Sequence, residues 1–152
     1  MNIIDTALIY DPVRRRCDLA FENGDFQFDD GPVTPVLTAV FLDRRALPDD
    51  QVPDPTIQTY APATLNARRG WAMDFLDPNG RPVGSRMWLL TRAKQSEPVR
   101  LAAESYLREA LEPLANARGW PMSLMVRWIA TGILAWRVTV GQVTLSINQQ
   151  VT

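Results

Sequence analysis

Residues 124–147, LMVRWIATGILAWRVTVGQVTLSI, decide the fold, because their apolar side chains recur at every second position. A period of two is typical of β-strands that bury one face of a sheet. Turn-forming pairs at 131–132 and 141–142 divide the stretch into three runs. The pattern therefore predicts a three-stranded antiparallel meander. Its inward-facing residues are Leu124, Val126, Trp128, Leu134, Trp136, Val138, Val140, Val143, Leu145 and Ile147.

The segment before this stretch has a period near 3.6, which predicts a long amphipathic helix. Ser96 supplies the N-cap, Pro98 lies in the first turn, and Gly119 terminates the helix. Pro113 lacks an N–H, so we expect it to kink the helix or to end its regular part near Glu112. The buried face comprises Val99, Ala102, Ala103, Tyr106, Leu107, Ala110, Leu111 and Leu114.

The N-terminal segment predicts a β-hairpin. Asn23-Gly24 is typical of a type I′ turn, and apolar residues alternate on both sides of it. Alternation places these residues on one face of the sheet. They are Leu19, Phe21, Phe26 and Phe28.

A shorter helix is predicted over residues 34–46, with Thr34 as its N-cap and Pro35 at the first helical position. Residues 48–67 contain four prolines and no periodic pattern, so they predict a long surface loop. A short strand is predicted over residues 71–76, and a short helix capped by Ser85 follows it.

These elements predict one α+β domain over residues 1–152, with an N-terminal β-hairpin and helices packed on an antiparallel sheet that the meander completes. A hydrophobic content of 46% suits a single globular domain of this length. Neither a signal peptide nor an apolar run long enough to span a membrane is present, so we expect no membrane association.

Composition excludes several kinds of chemistry. The chain has no histidine, which removes Ser-His-Asp and Cys-His catalysis and His-ligated zinc. Its single cysteine, Cys17, forms neither an internal disulfide nor a cysteine metal site. Phosphate-binding glycine motifs are missing, and a net charge of −1 disfavours nucleic acid. We therefore predict no catalytic residues, no cofactor and no metal.

Six blocks of the sequence resemble the small baseplate proteins of Mu-like contractile-tail phages. The most specific block is GSRMWLLTRAK at residues 84–94, and the others are DTALIYDP at 5–12, CDL at 17–19, NGDF at 23–26, LDRRA at 42–46 and RRGW at 68–71. The family is also similar in layout to the wedge protein that starts the tail sheath in other contractile phages. The resemblance covers most of residues 5–118.

The resemblance implies a non-enzymatic structural subunit of the tail baseplate. Such a subunit packs against a larger wedge protein around the tail tube and gives the sheath a starting edge. Several copies in a symmetric assembly are implied, with hub, tube and sheath proteins as neighbours. The implied location is the virion tail, with the host cytoplasm as the site of assembly.

Two other classes of function stay open. One is a tail assembly chaperone or adaptor that is absent from the finished particle. The other is a lysozyme-like enzyme that degrades peptidoglycan, which requires a buried glutamate of raised pKa. The candidate glutamates are Glu22, Glu97, Glu104, Glu109 and Glu112.

The candidate interface has two parts. The arginines of the resembling blocks are expected to make fixed contacts with carboxylates or backbone carbonyls, some within the domain and some in a neighbouring subunit. One or two of the tryptophans are expected to be interface hot spots at a sheet or helix edge. The last predicted strand, residues 143–151, is expected to be an assembly edge, because residues 141–152 contain no charge and no proline. Either another part of the fold covers this edge or a partner adds a strand to it. The interface residues are Arg44, Arg45, Arg69, Trp71, Arg86, Val143, Leu145, Ser146 and Ile147.

Overall fold

The computed structural model describes residues 5–14, 16–53, 67–71, 74 and 80–151. Within these ranges, short strands come first, two α-helices and a 3₁₀ helix follow, and a three-stranded antiparallel sheet ends the chain. The predicted α+β class is confirmed. Most of the predicted strand at 71–76 and most of the predicted loop at 48–67 lie outside the described residues.

The N-terminal strands form three short antiparallel pairs that are joined by backbone hydrogen bonds. We call this arrangement, within residues 5–29, the β-junction. Its strands are β1 (Asp5–Thr6), β2 (Leu8–Asp11), β3 (Arg16–Leu19), β4 (Phe21–Glu22), β5 (Asp25–Phe26) and β6 (Phe28–Asp29). The antiparallel pairs are β1 with β6, β2 with β3, and β4 with β5. At the centre, backbone hydrogen bonds of 2.8–2.9 Å join Ala7, Ala20 and Gln27.

The predicted hairpin turn is confirmed. Phe21 pairs with Phe26 across β4 and β5, which places Asn23 and Gly24 at the turn. Asn23 has φ 53° and Gly24 has φ 84°, and a type I′ turn requires positive φ at both central residues.

Helix α1 (Val33–Phe41) starts one residue earlier than predicted, and Thr34 is not its N-cap. The carboxylate of Asp29 accepts hydrogen bonds from the backbone N–H groups of Thr34, at 2.8 Å, and Gly31, at 2.7 Å. Thr34 is buried, and its hydroxyl oxygen accepts the N–H of Leu8 at 3.0 Å. The Asp29 carboxylate therefore pairs with backbone N–H groups at the start of α1. The Thr34 hydroxyl connects α1 to the β-junction through its hydrogen bond with Leu8.

Helix α1 also ends at Phe41, five residues before the predicted end at Ala46. Leu42 is extended, and its carbonyl accepts the N–H of Ser85 at 2.8 Å, while the N–H of Arg44 donates to the Ser85 carbonyl at 3.0 Å. A Cβ on Gly84 would overlap the Leu42 carbonyl oxygen, so glycine permits this approach. Backbone pairing with Ser85 therefore ends α1 earlier than the apolar periodicity of the sequence predicts.

Ser85 does not cap the following 3₁₀ helix (Met87–Leu90). Its side chain is buried and donates a hydrogen bond to the Val40 carbonyl at 2.8 Å. The hydroxyl thus supplies a hydrogen-bond donor to the Val40 carbonyl, which lies at the C-terminal end of α1.

Helix α2 (Glu97–Arg118) has the predicted caps at both ends. The Ser96 hydroxyl accepts the N–H of Val99, and Gly119 is left-handed with φ 65°. The helix continues through Pro113, so the prediction that its regular part ends near Glu112 is wrong. Leu111 and Ala115 are buried on either side of Pro113, and tertiary packing of a buried face supplies most of the stability of helices in proteins.

The C-terminal sheet confirms the predicted meander: β7 (Met122–Ala130), β8 (Ile133–Val140) and β9 (Val143–Gln150). β8 lies in the middle and pairs antiparallel with both neighbours. The inner face of the sheet and both α-helices share one apolar core. Trp88 lies outside that core, in a small cluster with Ala46 and Leu89. The core residues with no exposed area are Val36, Ala103, Leu107, Leu111, Leu134, Val138 and Val140.

Candidate assembly interface

Arg86 is the centre of a partly buried ion-pair network. Its Nη1 donates to both carboxylate oxygens of Asp50 at 2.9 Å, and its Nε and Nη2 lie 2.9 and 2.8 Å from Glu109 Oε2. Its guanidinium also stacks 4.5 Å from the ring centroid of Tyr106. Burial opposes ionisation, but the hydrogen bonds to both carboxylates outweigh it and raise the pKa of Arg86 above its ordinary value.

Arg44 reaches the same glutamate from the segment after α1. Its Nη2 lies 3.4 Å from Glu109 Oε1, and its carbonyl accepts the indole N–H of Trp88 at 2.9 Å. Arg44 and Arg86 therefore hold the segment after α1 and the 3₁₀ helix against α2. Their contacts lie within the chain, so these two arginines build the scaffold of the surface.

Three of the predicted residues lie on the surface of this scaffold. Arg69 stacks 4.5 Å above the ring of Trp88 and makes a 2.6 Å ion pair with Asp43. Trp71 is 46% exposed. Arg45 is exposed and makes no side-chain hydrogen bond or ion pair with another residue that the structure describes. Its own contact is with Gly70, where a Cβ would lie 2.8 Å from the Arg45 Cβ.

Strand β9 carries the second part of the predicted interface. Leu145 is buried and Val143 and Ile147 are half-buried on the inner face, where they help to cover the core. Ser146 is exposed on the outer face, and its hydroxyl accepts the Arg137 Nε–H at 3.0 Å. Among the described strands, β9 pairs with β8 alone, so its other edge has no strand partner in that part of the chain.

A groove brings the two parts of the interface together. It encloses about 290 Å³ between β9 on one side and α1, β2 and the 3₁₀ helix on the other. Both Arg69 and Ile147 line it, although the sequence placed them in separate predicted sites. The aromatic and apolar side chains that line it include Tyr10, Phe41, Met87, Trp88 and Trp136.

The sequence matches a known phage protein family over most of its length. The model of the phage protein GP46 family matches residues 32–146, which is more than half of the chain. The chain belongs to the GP46 phage protein family. Baseplate protein gp46 of Escherichia phage Mu is 38% identical over 113 residues, which cover 74% of this chain and 69% of the Mu protein. No solved structure matches.

This classification confirms the resemblance to Mu-like baseplate proteins. The region matched to the GP46 family contains α1, the ion-pair network around Arg86, and the sheet as far as Ser146. The β-junction precedes that region.

The β-junction carries an aromatic surface that sequence reasoning did not propose as an interface. Phe21, Phe26 and Phe28 are 63%, 44% and 66% exposed, and the rings of Phe21 and Phe26 lie 4.8 Å apart. We call the contacting pair Phe21 and Phe26 the aromatic patch. Their alternation around the turn was the available signal, since it predicts a shared face but does not tell whether that face is covered.

The glutamates of α2 have contacts that are unlike those of a general acid. Hydrogen bonds from Arg100 and Arg108 hold the pKa of Glu104 below its ordinary value, and Arg100 does the same for Glu97. Glu109 pairs with two arginines, and Glu112 pairs with Arg108 at 3.1 Å. A lysozyme-type acid requires a raised pKa. These arrangements and the family membership favour a structural role.

No helix among the described residues is long and apolar enough to cross a membrane. In the same ranges, no cluster of three Cys, Asp or Glu side chains is arranged to hold a metal ion.

Proposed function

We propose that this GP46-family chain is a structural subunit of a contractile-tail baseplate that offers strand β9 as a starting edge for the sheath. The observation that carries the proposal is an edge strand without a blocking residue, in a chain similar to a baseplate protein of phage Mu. Backbone N–H and C=O groups at such an edge pair readily with an added strand.

The two edges of the sheet differ in a way that supports this assignment. Edge strand β7 has Pro121 before it and a register irregularity between Trp128 and Ala130. The Arg100 guanidinium also donates to the carbonyl of Val126 in β7 at 3.4 Å. Proline, bulges and covering side chains are the usual protections of an edge. β9 has an unbroken register with β8 and no charged residue, so it is the edge suited to a partner.

The aromatic patch supports a second contact in the same assembly. Exposed aromatic side chains are enriched in protein interfaces, where they supply large contact areas. We assign this patch to a larger wedge protein that packs beside the subunit around the tail tube. Arg45 and Trp71 are assigned to contacts with a neighbouring subunit on the surface beside the groove.

The subunit is proposed to remain in the virion tail, in several copies, after assembly in the host cytoplasm. A chaperone or adaptor would leave the particle, whereas a structural subunit stays in it. Mass spectrometry of purified virions separates these two functions. Detection of the chain at a fixed ratio to the other baseplate proteins is the result that we expect.

The proposed edge is tested by complementing a phage that lacks the gene. Ser146→Pro distorts β9, so we expect tails without sheath. Thr144→Lys keeps the backbone of β9 and adds the charge that protects natural edges, so it should also block sheath assembly. Ser123→Lys is the matched control, because Thr144 in β9 and Ser123 in β7 are both exposed and both lie opposite Thr139. Normal sheathed tails from Thr144→Lys would contradict the proposal.

A further inference from the structure

We infer that the outer face of the C-terminal sheet docks a partner protein through an acidic side chain that has apolar residues beside it. The outer face is the side of β7, β8 and β9 that points away from the apolar core. Arg127 and Arg137 receive the carboxylate, and Met125 and Ile129 contact the apolar residues. This contact goes beyond the proposed function, because it uses a face of the sheet and requires no strand beside β9.

A recess of about 280 Å³ opens on this face, and one small side chain accounts for it. Ala135 lies in the central strand β8, opposite Arg127 of β7. Longer side chains surround this alanine and form the walls of the recess. The walls on the side of β7 and β8 are Met125, Arg127, Ile129 and Arg137. The face is therefore concave at Ala135, where it can seat a side chain of a partner.

The two arginines of the recess have no carboxylate partner in the part of the chain that the structure describes. No acidic residue follows Glu112 in the sequence, so all three strands of the sheet lack a carboxylate. Arg86 and Arg100, by contrast, each pair with two carboxylates. A basic face thus occurs in a chain whose net charge is −1, and its charge is complementary to an acidic partner.

Arg137 is held in an orientation that suits a carboxylate. Its Nε donates to the hydroxyl oxygen of Ser146 at 3.0 Å, which restricts the guanidinium plane. No described residue accepts a hydrogen bond from its two Nη groups, which can donate to both oxygens of an incoming carboxylate. Arg127 is a diagonal cross-strand neighbour on the same face, at about 7–8 Å, within reach for long side chains. The two guanidinium groups can therefore meet one carboxylate.

The apolar side chains of the recess favour a protein partner over nucleic acid. Met125 is 55% exposed and Ile129 is 46% exposed. A partner that covers them removes apolar surface from water, which adds to the affinity of the carboxylate contact. Nucleic acid requires a longer basic stripe and exposed rings on which bases stack, whereas Trp136, the aromatic residue at the recess, is buried.

The inference is tested by titrating the full chain with two tripeptides, Leu-Glu-Leu and Leu-Gln-Leu. Both are capped at each end, so that the glutamate side chain is the only carboxylate. The NMR signals of the Arg127 and Arg137 Nε–H groups report binding at the recess. We expect the glutamate peptide to bind about tenfold more tightly than the glutamine peptide, because hydrogen bonds between charged groups are stronger than those to a neutral amide.

Three variants identify the residues that receive the carboxylate. Arg127→Gln removes a side chain that has no hydrogen bond or ion pair with a described residue, so the fold and the melting temperature should be unchanged. It should weaken binding of the glutamate peptide by about tenfold, and Arg137→Gln should do the same. Arg92→Gln is the matched control, because Arg92 is exposed and lies outside the sheet. The control should leave the affinity unchanged.

Several results would overturn the inference. Absence of binding by the glutamate peptide, or equal affinity of the two peptides, would remove the carboxylate from the contact. Equal weakening by Arg92→Gln would show that overall charge causes the binding. Tighter binding of an oligothymidylate of about ten nucleotides, at the same arginine signals, would assign the face to nucleic acid instead. None of these results affects the β9 edge, whose test is sheath assembly with Thr144→Lys.

Discussion

Trp88 tests the packing of the interface scaffold, because it joins three segments that are distant in sequence. Its side chain is 6% exposed, its indole N–H donates to the Arg44 carbonyl, and Arg69 covers its ring. Replacement of a buried Trp by alanine costs about 3–5 kcal/mol, which includes the cavity that it leaves. Loss of the indole hydrogen bond leaves the Arg44 carbonyl unpaired, which accounts for about 1 kcal/mol of the loss in stability. We therefore expect Trp88→Ala to lower the free energy of unfolding by about 4 kcal/mol.

Urea denaturation followed by circular dichroism measures this loss, and a thermal melt should show a decrease of roughly 8–16 °C. Trp88→Phe is the control, since it keeps most of the apolar volume and removes the indole donor. It should cost about 1–2 kcal/mol. A loss below about 1 kcal/mol for Trp88→Ala would refute the reasoning and show that Trp88 is not packed as described.

Three further substitutions test other parts of the account. Arg86→Lys keeps the charge but loses the fork that binds two carboxylates, so urea denaturation should show a loss of about 1–3 kcal/mol; an unchanged midpoint would contradict the network. In Asp29, burial opposes ionisation, but the N–H groups of Thr34 and Gly31 and the Thr34 hydroxyl outweigh it and lower the pKa. That carboxylate stabilises the fold above its unfolded pKa of about 3.9, and the contribution disappears as pH falls through the lowered folded value. Asp29→Asn should therefore flatten the acid side of the stability curve, and an identical curve would disprove this role. Phe26→Ser should change stability by less than about 1 kcal/mol and reduce the yield of assembled particles, whereas full yield would remove the patch from the interface.

The sheet and α2 were predictable because several local signals agree. Each run of the meander alternates along its length, and turn residues separate the runs. Ser96 and Gly119 mark both ends of α2. The end of α1 was not predictable in this way, because Leu42 and Arg44 leave the helix to pair with Ser85, which is remote in sequence. Tertiary pairing there outweighs local propensity.

For the candidate interface, the sequence predicted fixed contacts for its arginines and did not predict which groups they contact. The sequence predicted fixed contacts for the arginines, and Arg44, Arg69 and Arg86 make them with carboxylates of the same chain. Which carboxylates they meet depends on how α2 packs, and no local pattern contains that information. The groove was not foreseen for the same reason, since α1, β2, β9 and the 3₁₀ helix all contribute to its walls.

The central claim is that β9 pairs with a strand of another protein in the assembled tail. A cryo-EM map of the intact tail end tests it most directly. We expect the map to show an extended segment of a different chain beside β9, hydrogen-bonded to its backbone. A map in which β9 is flanked on both sides by its own chain, or borders only solvent in the sheathed tail, would contradict it.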